Sequence, residues 1–371
     1  MRLQLTAAAL CLFLGATASA GGKASTRVDV YTDGDIDVVV PAVLGGWDGE
    51  HWEVEGRYVA DVISGATPVW TPDLITSATT FSEVRHAGGL ATTWKPSVEQ
   101  RVTANYDTSV EPDYLTHAGS GRYAIELFER SSTFGLGYGL SAETLGKVDD
   151  DTLAERTTTH RVDLSWDQIV GRTTTGGAVL TTMASRCGER FGCLANPYRF
   201  VDVDLEDAGP VALNERNPDR LYRAALGGRL SQAIGSTAAV HGGYRFYADS
   251  WRITGHTVDL GTKATALEER LLVGLNSRFS TQTPASFFRD AYSGRMGSAV
   301  VPMYRTGDRE LSGLGTVQFG GRAGWTFYAP GPFLDLKVSS RLVRAWYRYP
   351  RSTALPVRAA WLGGGGVDAT F

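Results

Sequence analysis

Alternation of apolar and polar residues with a period of two runs through most of the chain and predicts long antiparallel strands. From Glu50 to Ile63, the residues Trp52, Val54, Gly56, Tyr58, Ala60 and Val62 fall on one face, and Glu53, Glu55, Arg57 and Asp61 on the other. Between Val98 and Val110, Val98, Val102, Ala104, Tyr106 and Val110 oppose Glu99, Arg101, Thr103, Asn105 and Asp107. Val162, Leu164 and Trp166 oppose Arg161, Asp163 and Ser165, and Leu271, Val273, Leu275 and Phe279 oppose Arg270, Asn276 and Arg278. Strands of soluble proteins average ~5 to 6 residues. Runs of roughly 10 residues or more, apolar on one side and charged on the other, fit a membrane barrel with lipid outside and water inside.

The connections alternate between short and long. Tight turns are predicted near Trp47-Asp48-Gly49, Lys95-Pro96-Ser97, Glu129-Arg130, Asp167 to Arg172, Ala233-Ile234-Gly235, Leu267-Glu268 and Ala329 to Pro332. Longer segments lie between them: Ser64 to Thr79, Glu111 to His117, Gly146 to Leu153, Ser185 to Asn217, Thr281 to Gly307 and Tyr349 to Pro356. Outer-membrane barrels have this asymmetry, with short periplasmic turns and long external loops. A further short strand near Ser25 to Tyr31 makes the count even. The expected fold is all-β, an up-and-down transmembrane barrel of about 16 strands with both termini in the periplasm. The hairpins around Thr173 to Met183 and Leu311 to Trp325 are Gly-rich and poorly patterned.

The N-terminus supports export. Arg2 supplies a positive start, Leu3 to Leu14 an apolar stretch, and Ala18-Ser19-Ala20 a small-residue cleavage site, so residues 1–20 read as a signal peptide and 21–371 as the barrel. The stretch is too short to span ~30 Å of hydrocarbon as an anchor. Cys11 leaves with the signal, and Cys187 and Cys193 remain. Two cysteines close together in an oxidising compartment favour a disulfide within the longest external loop. The 371 residues carry a formal charge of -4 and 44 Gly, a balance with no basic attraction to nucleic acid.

The segment Asp61-Val62-Ile63-Ser64-Gly65-Ala66-Thr67-Pro68, with Ser77-Ala78-Thr79, Phe81-Ser82-Glu83-Val84-Arg85 and the opening Asp29-Val30-Tyr31-Thr32-Asp33, resembles the domain-of-unknown-function 3570 family of bacterial outer-membrane β-barrel proteins. The likeness is most specific over Arg27 to Leu145, and Tyr244 to Trp251 and Phe287-Phe288 are again similar. It implies a barrel and an outer-membrane location, and brings no catalytic residues.

Motifs of common exported hydrolases are missing: neither Gly-x-Ser-x-Gly nor His-Glu-x-x-His occurs. The chain is therefore read as a non-enzyme without catalytic, cofactor-binding or metal residues. His51, His86, His117, His160, His241 and His256 are scattered singly, and such a residue on a strand is expected in the lumen or a loop. Asp33-Gly34 is read as a hairpin turn rather than a calcium loop, and Asp149 to Asp151, with Asp202, Asp204, Glu206 and Asp207, as solvated loop charges.

Inward positions predict a lumen with two walls. The acidic wall carries Glu53, Glu55, Asp61, Glu83, Glu99 and Asp107, and the basic wall Arg223, Arg229, Arg245, Lys263, Arg270, Arg278, Lys337 and Arg341. The function expected is a passive, porin-like channel for small polar or anionic solutes. The rival is a non-conducting barrel that acts as a scaffold through its long loops. Expected partners are outer-membrane lipid, the barrel assembly machinery, which would read Phe371 as the closing residue of the last strand, and a periplasmic or lipoprotein partner.

Overall fold

The structure, a computed structural model, describes residues 21–66, 80–148, 150, 152–205, 209–294, 302–328, 335–350 and 356–371. The signal-peptide reading of residues 1–20, and most of the loops expected after Ser64 and after Arg348, lie outside these.

Sixteen strands close into an antiparallel barrel. In chain order the first nine are β1 (Gly22–Thr32), β2 (Ile36–Asp48), β3 (Trp52–Ala66), β4 (Thr80–Ser97), β5 (Gln100–Val110), β6 (Tyr114–Leu127), β7 (Ser132–Leu145), β8 (Glu155–Gly171) and β9 (Thr174–Arg186). The barrel continues through β12 (Arg220–Ile234), β13 (Ala238–Asp249), β14 (Thr254–Ala266), β15 (Leu271–Gln282), β17 (Leu314–Tyr328), β18 (Asp335–Arg348) and β19 (Val357–Thr370). Between β9 and β12 lie β10 (Phe200–Leu205) and β11 (Gly209–Asn214), which with β16 (Tyr292–Gly294) form a separate three-stranded sheet. Among the described residues no helix is long and apolar enough to cross a membrane. Lipid is crossed by strands, which satisfy their backbone groups only when the sheet leaves no edge. β1 closes on β19, and beside that seam Phe371 donates its amide to the Gly22 carbonyl.

Every pairing in the barrel wall is antiparallel, and following the register once around the barrel returns to β1 displaced by 16 residues, so a level set across the axis moves one residue per strand. With ~3.3 Å per residue and ~4.8 Å between strands, this shear gives a tilt of about 35° and a backbone radius of about 15 Å.

Those levels order the outer face. Tyr58, Tyr106, Tyr138 and Tyr244 share one level, and each hydroxyl lies 2.7 to 2.8 Å from Nδ1 of a histidine, His86, His117, His160 or His256, on the next strand. These four histidines therefore face outward, contrary to the expectation of a lumen or loop position. The Tyr–His bond gives each imidazole a polar partner at the edge of the apolar zone. Nearer the turns, Trp52 stacks on Trp94 and Phe134 on Trp166. The two aromatic belts are about 17 Å apart along the axis and, with the reach of their rings, bound an apolar band near the ~25 Å typical of outer-membrane barrels.

The turn readings hold at several ends. Asp33 Oδ1 accepts from the amides of Asp35 and Ile36 at 3.1 and 3.0 Å, an Asx turn closed by Gly34 at φ 98°. Phe128, Glu129 and Arg130, and again Leu267, Glu268 and Glu269, are three consecutive left-handed residues that reverse the chain between β6 and β7 and between β14 and β15.

Candidate functional site

Strand register decides which charges meet in the lumen. Glu53, Glu55, Asp61 and Asp107 all face inward, and each has a cation at hand. Lys95 bonds Glu53 at 2.7 Å, Lys23 bonds Glu55 at 2.7 Å, Arg57 bonds Asp107 at 2.7 Å, and Arg85 pairs with Asp61. The backbone of Glu83 lies opposite Ile63 in the β3–β4 ladder. Glu53, Glu55, Asp61 and Asp107 are thus neutralised by their own neighbours.

Two residues of the expected walls are corrected. Glu99 lies in the turn between β4 and β5, exposed and accepting from Ser97 Oγ at 3.1 Å, and Arg270 lies in the turn after β14, its guanidinium 5.7 Å from the Tyr328 ring centroid. Alternation continues through both positions, but the ladder ends before them, so neither side chain lines the wall.

Arg223, Arg229, Arg245, Lys263, Arg278, Lys337 and Arg341 do point inward. Arg229 pairs with Asp167 at 2.5 Å, Arg278 with Asp259 at 2.6 Å and Arg341 with Asp29 at 3.0 Å. Arg223 Nη2 donates to Ser185 Oγ at 3.1 Å. Sequence reasoning missed Arg122, whose Nη2 donates to Ser165 Oγ at 2.8 Å, and Arg322, which lies over Gly274. Among the described residues, Arg122, Arg245, Lys263 and Arg322 have no carboxylate within ion-pair distance; Arg122, Arg245 and Arg322 lie in the middle of their strands and Lys263 nearer the turn that ends β14. A recess of about 720 Å³ in the wall is lined by Arg122, Arg229, Arg245, Lys263, Asp167 and Asp259.

Glycines shape this surface by close approach. A Cβ on inward-facing Gly89 would lie 2.2 Å from Asp107 Oδ1, and one on Gly177 would lie 2.2 Å from Asp167 Oδ1. Each glycine leaves a slot over which its neighbour's carboxylate lies while it pairs with arginine.

The loop end is covered by a cap made from the described residues of 187–219 and 283–313. Cys187 and Cys193 are joined by a disulfide and buried with Leu221, Trp251, Ile253, Ala285, Phe288 and Leu311. A second cluster, Val201, Val203, Leu205 and Tyr292, forms one face of the small sheet. Asp202 and Asp204 are the outward half of that alternation. Glu215, fully buried, ties the two loops together: it accepts from the Asn196 amide at 2.9 Å and from Thr306 Oγ1, and pairs with Arg199 at 3.3 Å, which also reaches Asp308 at 3.2 Å. Burial pushes the Glu215 carboxyl above its ordinary pKa, against the lowering influence of Arg199 and Thr306. Gly192, at φ 82°, sits where a Cβ would be 1.9 Å from the Asn217 carbonyl oxygen.

The cap reaches inside the wall. Inward-facing Gln282 donates to the carbonyl oxygens of Glu310 and Ser312 at 2.7 and 3.3 Å. Inward-facing Thr159, Ser185, Leu221, Thr316, Ala345 and Arg358 are all buried at the loop end, whereas Ser109, Thr116 and Glu143 on the opposite wall are half-buried. The cover is therefore heavier over β8 to β19 than over β5 to β7.

A family model described as "Protein of unknown function (DUF3570)" matches residues 77–333. No curated protein matches the sequence. Among solved structures the barrel is similar to a bacterial polysaccharide outer membrane secretin, at 7% identity over 94% of this chain and 98% of that one, with a TM-score of 0.50. It is also similar to the loop-deleted outer membrane protein OmpT of Vibrio cholerae, at 8% identity over 95% and 99% of the two chains and a TM-score of 0.47. For the siderophore receptor PirA of Pseudomonas aeruginosa the identity is 10% and the TM-score 0.44, and 89% of this chain spans 56% of the receptor's length. The likeness is one of fold: a closed β-barrel of the outer-membrane kind.

Proposed function

The chain belongs to the DUF3570 family, whose description names no activity, and we propose that it is a channel that passes small anionic solutes through a capped outer-membrane barrel. The observation that carries this reading is the group of lumen cations, Arg122, Arg245, Lys263 and Arg322, that among the described residues lack carboxylate partners, while Asp107, Asp163, Asp167 and Asp259 are paired. A wall about 15 Å from the axis leaves room for water between the side chains. Cationic groups without a carboxylate partner lining such a space lower the energy of a passing anion and raise that of a cation. Screening over ~8 Å at physiological salt confines the effect to solutes close to that wall. The heavier cover over β8 to β19 directs passage along β5 to β7, beside Arg122.

The test is the reversal potential of the purified protein in a planar bilayer under a salt gradient, repeated with Arg122, Arg245, Lys263 and Arg322 changed to Glu. Anion preference that reverses in the variant supports the proposal. Cation preference in the parent, or an unchanged potential in the variant, overturns it, and absence of conductance favours the scaffold reading, which the extent of the cap also supports.

A further inference from the structure

Just beyond the aromatic belt on the loop side, the outward face carries charges that the lumen does not explain. Arg156 of β8, Arg186 of β9 and Arg220 of β12 stand on three adjacent strands, all exposed. Their outward direction follows from their neighbours: Ser185 and Leu221, one residue away, are buried on the inner side. Arg186 and Arg220 are directly opposite each other in the ladder, and Arg156 is on the diagonal, since Arg186 pairs with Thr158. Like charges set opposite one another across a sheet destabilise it. Among the described residues the nearest carboxylate is Asp219, 4.0 Å from Arg220, and neither Arg156 nor Arg186 has one within ion-pair distance.

Height identifies the surroundings. Arg156 lies four residues beyond His160 on the same strand, about 11 Å further along the axis at this tilt, which is the depth of lipid headgroups above an aromatic belt. Exposed Tyr222 lies directly below Arg186 and Arg220, and the bonded pair Tyr138 and His160 is below Arg156. Three guanidinium forks over aromatic rings match phosphate oxygens, which they bind bidentately. We infer that Arg156, Arg186 and Arg220 form a binding site for the phosphorylated headgroup of an outer-leaflet glycolipid of the lipid A type, its acyl chains lying down the apolar face of β8, β9 and β12. The anion removes the repulsion between Arg186 and Arg220. The inference rests on the long loops being external, and not on conduction through the lumen.

The experiment titrates the full-length protein, purified in detergent, with bisphosphorylated lipid A and counts bound lipid by native mass spectrometry. The wild type is expected to retain the lipid, and the R156Q/R186Q/R220Q variant to bind it roughly tenfold or more weakly, the loss of one or more charge-assisted contacts. Wild-type protein is also titrated with dephosphorylated lipid, an arm independent of whether the variant folds, and weaker binding is expected there. Equal binding by the variant, or of the dephosphorylated lipid, overturns the assignment. Displacement by inorganic phosphate alone shows a site for soluble anions and overturns the lipid as the ligand. An R122Q variant, changed only in the lumen, is expected to bind as the wild type does.

Discussion

Replacing Glu215 by Ala removes one of the ties between the two halves of the cap, which the β10–β16 ladder and the Arg216–Arg305 backbone bridge also join. The change takes away a fully buried carboxylate, leaves the Asn196 amide and Thr306 Oγ1 without their acceptor, and leaves Arg199 with Asp308 alone. Breaking a buried ion pair on one side costs about 3 to 5 kcal/mol, because the surviving partner stays desolvated. The Arg199 side chain is 27% exposed, so water recovers part of its solvation and the lower end applies. At about 3 kcal/mol the opening equilibrium of the cap rises by roughly two decades. The barrel itself is held by ladders that do not involve Glu215, so the loss is local. Limited proteolysis of the protein in detergent is therefore expected to cut residues 187–219 or 283–313 of E215A about a hundredfold faster than in the parent, with the barrel still migrating as a folded, heat-modifiable species. E215Q keeps an acceptor for Asn196 and Thr306 and is expected to fall between the two. Cleavage of E215A at the parental rate would refute the role of Glu215, and loss of the folded barrel would refute the independence of cap and wall.

G192A forces a Cβ against the Asn217 carbonyl from a left-handed backbone position and is expected to loosen the same loop by more than about 1 kcal/mol, read as faster hydrogen exchange at Asn217. Removing the Cys187–Cys193 bond in a C187A/C193A variant should cost the loop roughly 2 kcal/mol, read by the same proteolysis; free thiols at both positions in protein taken directly from the membrane would reject the bond itself. Burial raises the Glu215 carboxyl above its ordinary value in the folded cap, and burial with the Asp308 charge does the same for Glu310. The folded cap therefore holds protons that the opened loops release. Its added stability is full below the ordinary carboxyl range, near 4.5, and is lost as pH rises through the raised values. Cap protection is accordingly expected to decline from mildly acidic toward neutral pH, with a shallower slope in E215Q.

The number of barrel strands was legible because lipid and water impose opposite chemistry on successive residues, and that contrast survives in β3, β5, β8 and β15. It fades in β9, where inward Gly177 gives up its side chain to make room for Asp167 and reads as neither polar nor apolar. The signs of the lumen charges could be read, but not their pairing: Arg57 with Asp107 and Arg229 with Asp167 are set by register between strands distant in sequence. Glu99 and Arg270 kept the alternation of their strands one residue past the last ladder pair, which no periodicity marks. The cap was the least legible part. Val201, Val203 and Leu205 alternate with Asp202 and Asp204, a short amphipathic strand that was read only through its acids. Glu215 and Thr306 are 91 residues apart, and nothing local to either announces the contact.

The equality of shear and strand number makes the hairpin a unit of construction. Because a constant level shifts by one residue at each strand, excising any adjacent pair of wall strands would lower both quantities by two together. The tilt would stay near 35° and the two aromatic belts would stay in register with the bilayer, while the radius would shrink from about 15 to about 13 Å. Lineages built on this wall can thus narrow or widen it by whole hairpins without re-siting a single belt residue.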